Sequence, residues 1–253
     1  MGVYAGPSET FIENFPLKWY GSTSISGGVV TDGLVLALDA GVSRSYPGSG
    51  TTWSDLSGNG NNGTLTNGPT YNSANGGSLV FDGVNDYVNF GNNTTLYNAY
   101  DTTFTQEFAV RLISGASTSR TIFRVDDWSR ISTGISTSSI TFTIGYSSPV
   151  DSLTYNSTIN YNQWYLITTV WTKLNTQQIY LNGILVAQRT PTISNYTGVT
   201  DTSGGANLGR GHTSPYTSNI NANIAFFKHY NRALTPQEIQ QNYNALKGRF
   251  GLQ

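Results

Sequence analysis

Ser78-Leu79-Val80-Phe81-Asp82-Gly83-Val84-Asn85-Asp86-Tyr87-Val88-Asn89-Phe90 decides the fold. Residues 79–81 form one β-prone run and residues 87–90 another. Asp82-Gly83 between them supplies turn chemistry, because Gly takes positive φ without a Cβ clash and Asp bonds back to nearby amides. The spacing predicts a hairpin. Its turn gathers Asp82, Asn85 and Asp86, three oxygen-bearing side chains and hence a candidate calcium site. Calcium takes about six to eight oxygens, usually several of them carboxylates. With carboxylates this few, capping of the turn amides is the favoured reading of the same residues.

The chain around this stretch has 253 residues, of which 37% are hydrophobic and only 11% charged. Typical globular domains are about 25% charged. Gly, Ser, Thr and Asn fill the difference, a mix that suits short strands and many turns and disfavours a helical bundle. A net charge of −1 offers no long-range field for nucleic acid or an acidic membrane. Arg120, Arg124 and Arg130, with Asp126 and Asp127 among them, read as a solvated and locally neutralised face. The absence of cysteine excludes disulfides and thiolate metal sites. No apolar run approaches the ~18 residues of a membrane span. The first residues lack the basic and apolar regions of a secretory signal, so synthesis in a cytoplasm is expected.

In chain order, residues 1–28 read as an extended arm. Tyr4, Phe11, Phe15, Trp19 and Tyr20 follow no period of two or 3.6, and a Ser/Gly connector follows them. Such an arm either docks on a partner or wraps its own domain, which spans residues 29–253. Strands are expected at 33–39, 104–113, 121–125, 138–146, 150–155, 164–171, 178–186, 207–209 and 219–231. Asn182-Gly183 between apolar runs is the mark of a two-residue type I′ hairpin. Thr235-Pro236-Gln237-Glu238 is a capping box with proline in the first turn, predicting a helix over 236–247 with Gly248 at C′. Many strands, no βαβ alternation and one helix predict an all-β fold, a two-sheet antiparallel jelly-roll sandwich.

Three segments in this order resemble the opening of LamG-like domains of the concanavalin A-like lectin/glucanase superfamily. They are residues 34–39, residues 53–64 and residues 79–88. Trp164-Tyr165, Tyr180-Leu181-Asn182-Gly183 and Tyr230-Asn231-Arg232-Ala233-Leu234-Thr235 match its middle and closing motifs. The closing variant, with Asn223-Ile224-Ala225 and Gly248-Arg249-Phe250-Gly251, is similar to domains of tailed-bacteriophage structural proteins. That resemblance implies a virion structural or decoration protein, assembled with other virion proteins or copies of itself and anchored by its arm. Binding to host-surface glycan is the alternative it implies. Many members carry Ile-Asp-Glu where this chain has Ile224-Ala225-Phe226, so the family's calcium habit is not carried over, and no cofactor is required.

Glycoside hydrolysis uses two carboxylates about 5 to 9.5 Å apart. Laminarinase-like relatives place them in a Glu-x-Asp-x-x-Glu pattern, whereas this chain has only Glu9, Glu13, Glu107 and Glu238. A non-enzymatic role is therefore expected. With His212 and His229 alone, a zinc site is not expected either. Glycan binding would use exposed aromatics helped by polar neighbours. The candidates are Asp127, Trp128 and Arg130 in one turn, and His212 and Tyr216 in a Gly/Pro-rich loop, although burial of Trp128 in the core is the commoner fate of such a residue.

Overall fold

The computed structural model describes residues 28–97, 102–113, 120–125, 131–145, 150–192, 205–211 and 218–253. Sixteen strands follow in order: β1 (Leu34–Asp39), β2 (Thr52–Trp53), β3 (Gly63–Thr66), β4 (Thr70–Asn72), β5 (Ser78–Asp82), β6 (Tyr87–Asn89), β7 (Phe104–Leu112), β8 (Arg120–Val125), β9 (Ile131–Ile135), β10 (Ser139–Gly145), β11 (Val150–Asn156), β12 (Trp164–Thr172), β13 (Thr176–Leu181), β14 (Ile184–Arg189), β15 (Ala206–Leu208) and β16 (Asn221–Tyr230). They form two antiparallel sheets. Sheet A runs β14-β13-β12-β7-β16-β5-β4, with β1 also on β16; sheet B runs β11-β10-β9-β8-β15-β6-β3-β2. This is the expected jelly-roll sandwich, closed by a helix at Pro236–Leu246.

The 78–90 stretch is not a hairpin. Its first half, β5, pairs with β4 and β16 in sheet A, and its second half, β6, pairs with β3 and β15 in sheet B. The turn crosses the sandwich instead of folding a strand back on its neighbour. Leu79 and Phe81 enter the core from one sheet, and Val88 and Phe90 enter from the other. The partners that decide this lie far along the chain, and turn chemistry carries no information about them.

Three apolar clusters, in two layers, follow from strand alternation. Between the sheets lie Leu36, Phe81, Phe104, Phe108, Phe123, Phe142, Trp171 and Phe227, among others. Phe108 and Phe227 stack with centroids 5.0 Å apart. Two further clusters lie on the outer face of sheet A. One gathers Val29, Ala109, Trp164, Leu166, Phe226, Tyr243, Leu246 and Phe250; the other gathers Val30, Val170, Tyr180, Tyr230, Leu234 and Ile239. The helix supplies Ile239, Tyr243 and Leu246, spaced i, i+4 and i+7 along one face, to these clusters.

The Thr235 side chain accepts from the Glu238 amide, Glu238 answers at the Thr235 amide, and Glu238 also grips Arg232 in a two-pronged pair at 2.9 and 2.7 Å. That pairing with Arg232 holds the Glu238 carboxyl down at about 2. Gly248 does not serve as C′: the chain continues in a 3₁₀ turn over Lys247–Phe250, and Gly251 takes the left-handed position with φ 66°. Asn182 (φ 51°) and Gly183 (φ 78°) make the predicted tight turn, and a Cβ on Gly183 would sit 3.0 Å from Tyr243, so the hairpin tip packs against the helix.

Candidate functional site

Asp82, Asn85 and Asp86 are brought together. Asp82 Oδ1 accepts the amides of Val84 (2.8 Å), Asn85 (3.2 Å) and Asp86 (3.4 Å), and Asp86 Oδ2 accepts the Asp82 amide at 3.1 Å. Burial pushes the Asp86 carboxyl up. Two carbonyls of the turn are also engaged, Val84 by Asn219 and Asn85 by Asn67. The carboxylates thus cap the inter-sheet turn. Among the described residues no group of three or more His, Asp or Glu side chains is placed to hold a metal ion.

Each of the other described carboxylates has a partner. Asp39 pairs with Arg249, Asp151 with Arg189, Asp32 with Arg232, and Glu107 with Lys228 beneath the helix. Asp55 caps its loop at the amides of Ala37, Ser57 and Asn61. His229 lies between the sheets, stacked on Phe104 at 5.4 Å, with its Nδ1 3.4 Å from Gln106 Nε2. Burial holds its ring neutral, with a pKa lowered to about 3.

The glycan candidates Asp127, Trp128, Arg130, His212 and Tyr216, and the arm residues Tyr4, Phe11, Phe15, Trp19 and Tyr20, lie outside the described residues. The roots of the two loops are described, and both are on sheet B. One loop leaves β8 at Val125, which pairs with Ala206, and returns at Ile131. The other leaves after Gly211 and returns at Ser218, whose carbonyl accepts the Thr121 amide. These roots stand at opposite ends of β8, roughly 13 Å apart at the usual rise per strand residue.

Between them runs a feature that linear reading misses. Register places one polar residue per strand in a single row across seven strands of sheet B: Thr64–Asn89–Asn207–Arg124–Ser132–Thr143–Ser152. Each has at least one neighbour along its strand that enters the core, so the row lies on the outer face. None of the described apolar clusters covers that face.

The ends and centre of the row differ. Thr64 and Ser152 are exposed and Asn89, Ser132 and Thr143 half-buried, whereas Asn207 and Arg124 are 1% exposed. The solvated face expected for Arg124 is therefore wrong. Its Nη1 donates to the Gly211 carbonyl at 2.7 Å, at the root of one loop. Asn207 donates to the Gly205 carbonyl at 3.2 Å, at the root of the segment leading into β15. The buried centre of the row fastens loop roots, and its flanks present hydroxyls and an amide. Arg210 caps the ring of Tyr87 at 4.6 Å on the same face.

The comparisons with known proteins agree with this architecture. No curated protein matches the sequence. Among solved structures, the chain is similar to the binding domain of botulinum neurotoxin DC in complex with SialylT (TM-score 0.64, 21% identity, 85% of this chain and 52% of that one). It is equally similar to that domain in complex with rat synaptotagmin II (TM-score 0.64, 21% identity, the same shares). The binding domain of Paraclostridial Mosquitocidal Protein 1 gives TM-score 0.69 at 16% identity, over 87% of this chain and 55% of that one. The chain spans about half the length of these structures, and at such identities the likeness is one of fold. Residues 82–240 match a laminin G family, and the chain belongs to the concanavalin A-like lectin/glucanases superfamily.

Proposed function

We propose that this lectin-like domain is a non-catalytic glycan-binding module whose ligand lies along the outer face of sheet B. The observation that carries the reading is the polar row, with its buried centre fastening loop roots and its flanks left to ligand. Sugars are recognised by many small hydrogen-bonding groups held in fixed positions together with an aromatic surface. Ser132, Thr143 and Asn89 supply the former. Trp128 and Tyr216, from loops rooted at the two ends of β8, supply the latter, with Asp127, Arg130 and His212 as polar partners. A domain of the same fold carries SialylT in a toxin, which fits a glycan ligand here. Every described carboxylate is tied into a cap or ion pair, which fits binding and not hydrolysis.

The finer setting, a tailed-phage virion protein made in a host cytoplasm and anchored by residues 1–28, rests on the sequence resemblance of residues 223–225, 230–234 and 248–251. The structural neighbours cited above are toxin binding domains. The described root of the arm lies on the face opposite the polar row. Gly28 is held by Gln241 at 2.7 Å and Val29 packs under the helix, on the sheet opposite the polar row.

The test is a glycan array on the full chain and on Trp128→Ala, with and without chelator. Binding by the parent, weakened at least tenfold in the folded variant and unchanged by chelator, is the expected result. No glycan bound by the parent overturns the reading. Binding lost in chelator would assign calcium to the turn of Asp82, Asn85 and Asp86.

A further inference from the structure

One cluster has a chemistry that glycan binding does not use. Lys228 of β16, Glu107 of β7 and Asn242 of the helix converge under the helix, on the outer face of sheet A. The Lys228 side chain is 0% exposed and that of Glu107 6%. Lys228 Nζ stands 3.6 Å from Glu107 Oε2, beyond hydrogen-bond length, and has no hydrogen-bond partner. The same Oε2 accepts Asn242 Nδ2 at 3.0 Å, so the amine and the carboxamide share one carboxyl oxygen. Asn242 Oδ1 accepts the Val30 amide at 2.7 Å, and Nδ2 also reaches the Tyr230 hydroxyl at 3.1 Å. The ring of Phe226 lies 4.3 Å from Nζ. Asp39 and Arg249 are the other charged groups acting on Lys228, and they are locked together by bonds of 2.8 and 2.9 Å.

Burial drives this pair toward its neutral forms, lowering the Lys228 ammonium and raising the Glu107 carboxyl. A neutral amine is a nucleophile, and desolvation is one of the ways proteins make one of lysine. The carboxamide bonded to the same Glu107 oxygen has its own oxygen on a backbone N–H, where charge would build in acyl transfer, and its nitrogen on a group able to protonate a leaving amine.

We propose that Lys228 and Asn242 join through an intramolecular amide bond, with Glu107 as the proton shuttle. Nζ attacks Asn242 Cγ, and the Val30 N–H stabilises the charge on Oδ1. The neutral Glu107 carboxyl gives its proton to Nδ2, which departs as ammonia, and the carboxylate takes one from Nζ as the new bond forms. One C–N bond forms and one breaks, Glu107 returns to its starting state, and no oxidant or cofactor takes part. The product ties β16 to the helix covalently. It also secures the root of the arm, because Val30 is held at its N–H by Asn242 and at its carbonyl by Tyr230.

Intact mass spectrometry of the denatured full chain tests this. The expected mass is lower than that of the sequence by one ammonia, with a fragment in which the peptides of Lys228 and Asn242 are joined. The unshifted sequence mass overturns the proposal, as does an ammonia loss confined to Asn242 without a linked peptide, which is a succinimide. Glu107→Gln, close in shape, is expected to keep the full mass while its circular dichroism matches the parent. A linked Glu107→Gln chain overturns the role of Glu107. Lys228→Met, which keeps an apolar body in place and removes the nucleophile, gives the same readout should Glu107→Gln fail to fold.

Discussion

The two outer faces of the sandwich solve opposite problems. That of sheet A is apolar and covered: Ala109, Trp164, Leu166 and Phe226 meet Tyr243, Leu246 and Phe250 of the C-terminal segment. The polar groups trapped there, Glu107, Lys228, Asn242 and Tyr230, are concentrated in one network around the root of the arm. The described row on sheet B carries serine, threonine and asparagine, with burial only at Asn207 and Arg124 among its members. A sheet face covered by a helix of its own chain holds a fold together, and a row of exposed and half-buried polar groups offers hydrogen bonds to a ligand. Under the proposed function, stability and anchoring fall to one face and recognition to the other, and substitutions on the two faces should separate those properties.

The largest loss of stability is expected under the helix. Phe226 is 1% exposed and packs against Phe250 with centroids 6.1 Å apart. Phe226→Ala leaves a cavity between sheet A and the helix, at a cost of about 3–5 kcal/mol. Urea unfolding should show the whole of that loss, and the fraction still folded should bind glycan as the parent does. A loss below about 1 kcal/mol would mean that the helix adds little to the fold.

A somewhat smaller effect is expected from acid, and it acts through the opposite side of the same strand. Lys228 of β16 faces the helix, and His229 faces the interior with its pKa lowered from 6.5 to about 3. Between those values the unfolded chain binds a proton that the native ring refuses, so stability falls as pH falls. The contribution is complete above pH 6.5 and declines at up to about 1.4 kcal/mol per pH unit toward pH 3. Glu107, with its pKa raised, works in the other direction at the start of the carboxylate range, since the native state keeps that proton longer. His229→Gln removes the histidine contribution. Urea midpoints measured from pH 7 to pH 4 should slope more shallowly in the variant, and parallel slopes would rule out His229 as the acid-sensitive group.

What could be read from the sequence was local. The Asn182-Gly183 turn and the Thr235 cap depend on neighbours within a few residues, and both formed as expected. The 78–90 stretch shows the limit. Its turn chemistry was legible, but its sheet membership depends on β16 and β15, more than a hundred residues away. Arg124 read as solvated because its neighbours are charged; the carbonyl that holds it belongs to Gly211. Glu107, read only as a stray carboxylate, finds Lys228 and Asn242 from other elements. The polar row has no linear signature at all, since each of its members comes from a different strand and looks like an ordinary outward-facing residue until the register is known.

That row gives the smallest expected change in stability and the sharpest test of the division between faces. Asn89 bonds within its own turn, to the Gly91 amide at 2.7 Å, and Thr143 bonds to Ser152 at 3.1 Å; both are half-buried on the surface. Asn89→Ala and Thr143→Ala should each shift stability by no more than about 0.5 kcal/mol, the usual range for surface positions. Against the glycan that the array identifies, each should weaken binding by an amount that titration calorimetry resolves, about tenfold where a ligand hydrogen bond is lost from a partly desolvated site. The two variants report on opposite flanks of the buried pair Asn207 and Arg124. Weakening in both places the ligand across the centre of sheet B, and weakening in one confines it to that flank. Unchanged affinity in both, with Trp128→Ala still inactive, removes the sheet from the site and leaves recognition to the loops that Arg124 and Asn207 fasten in place.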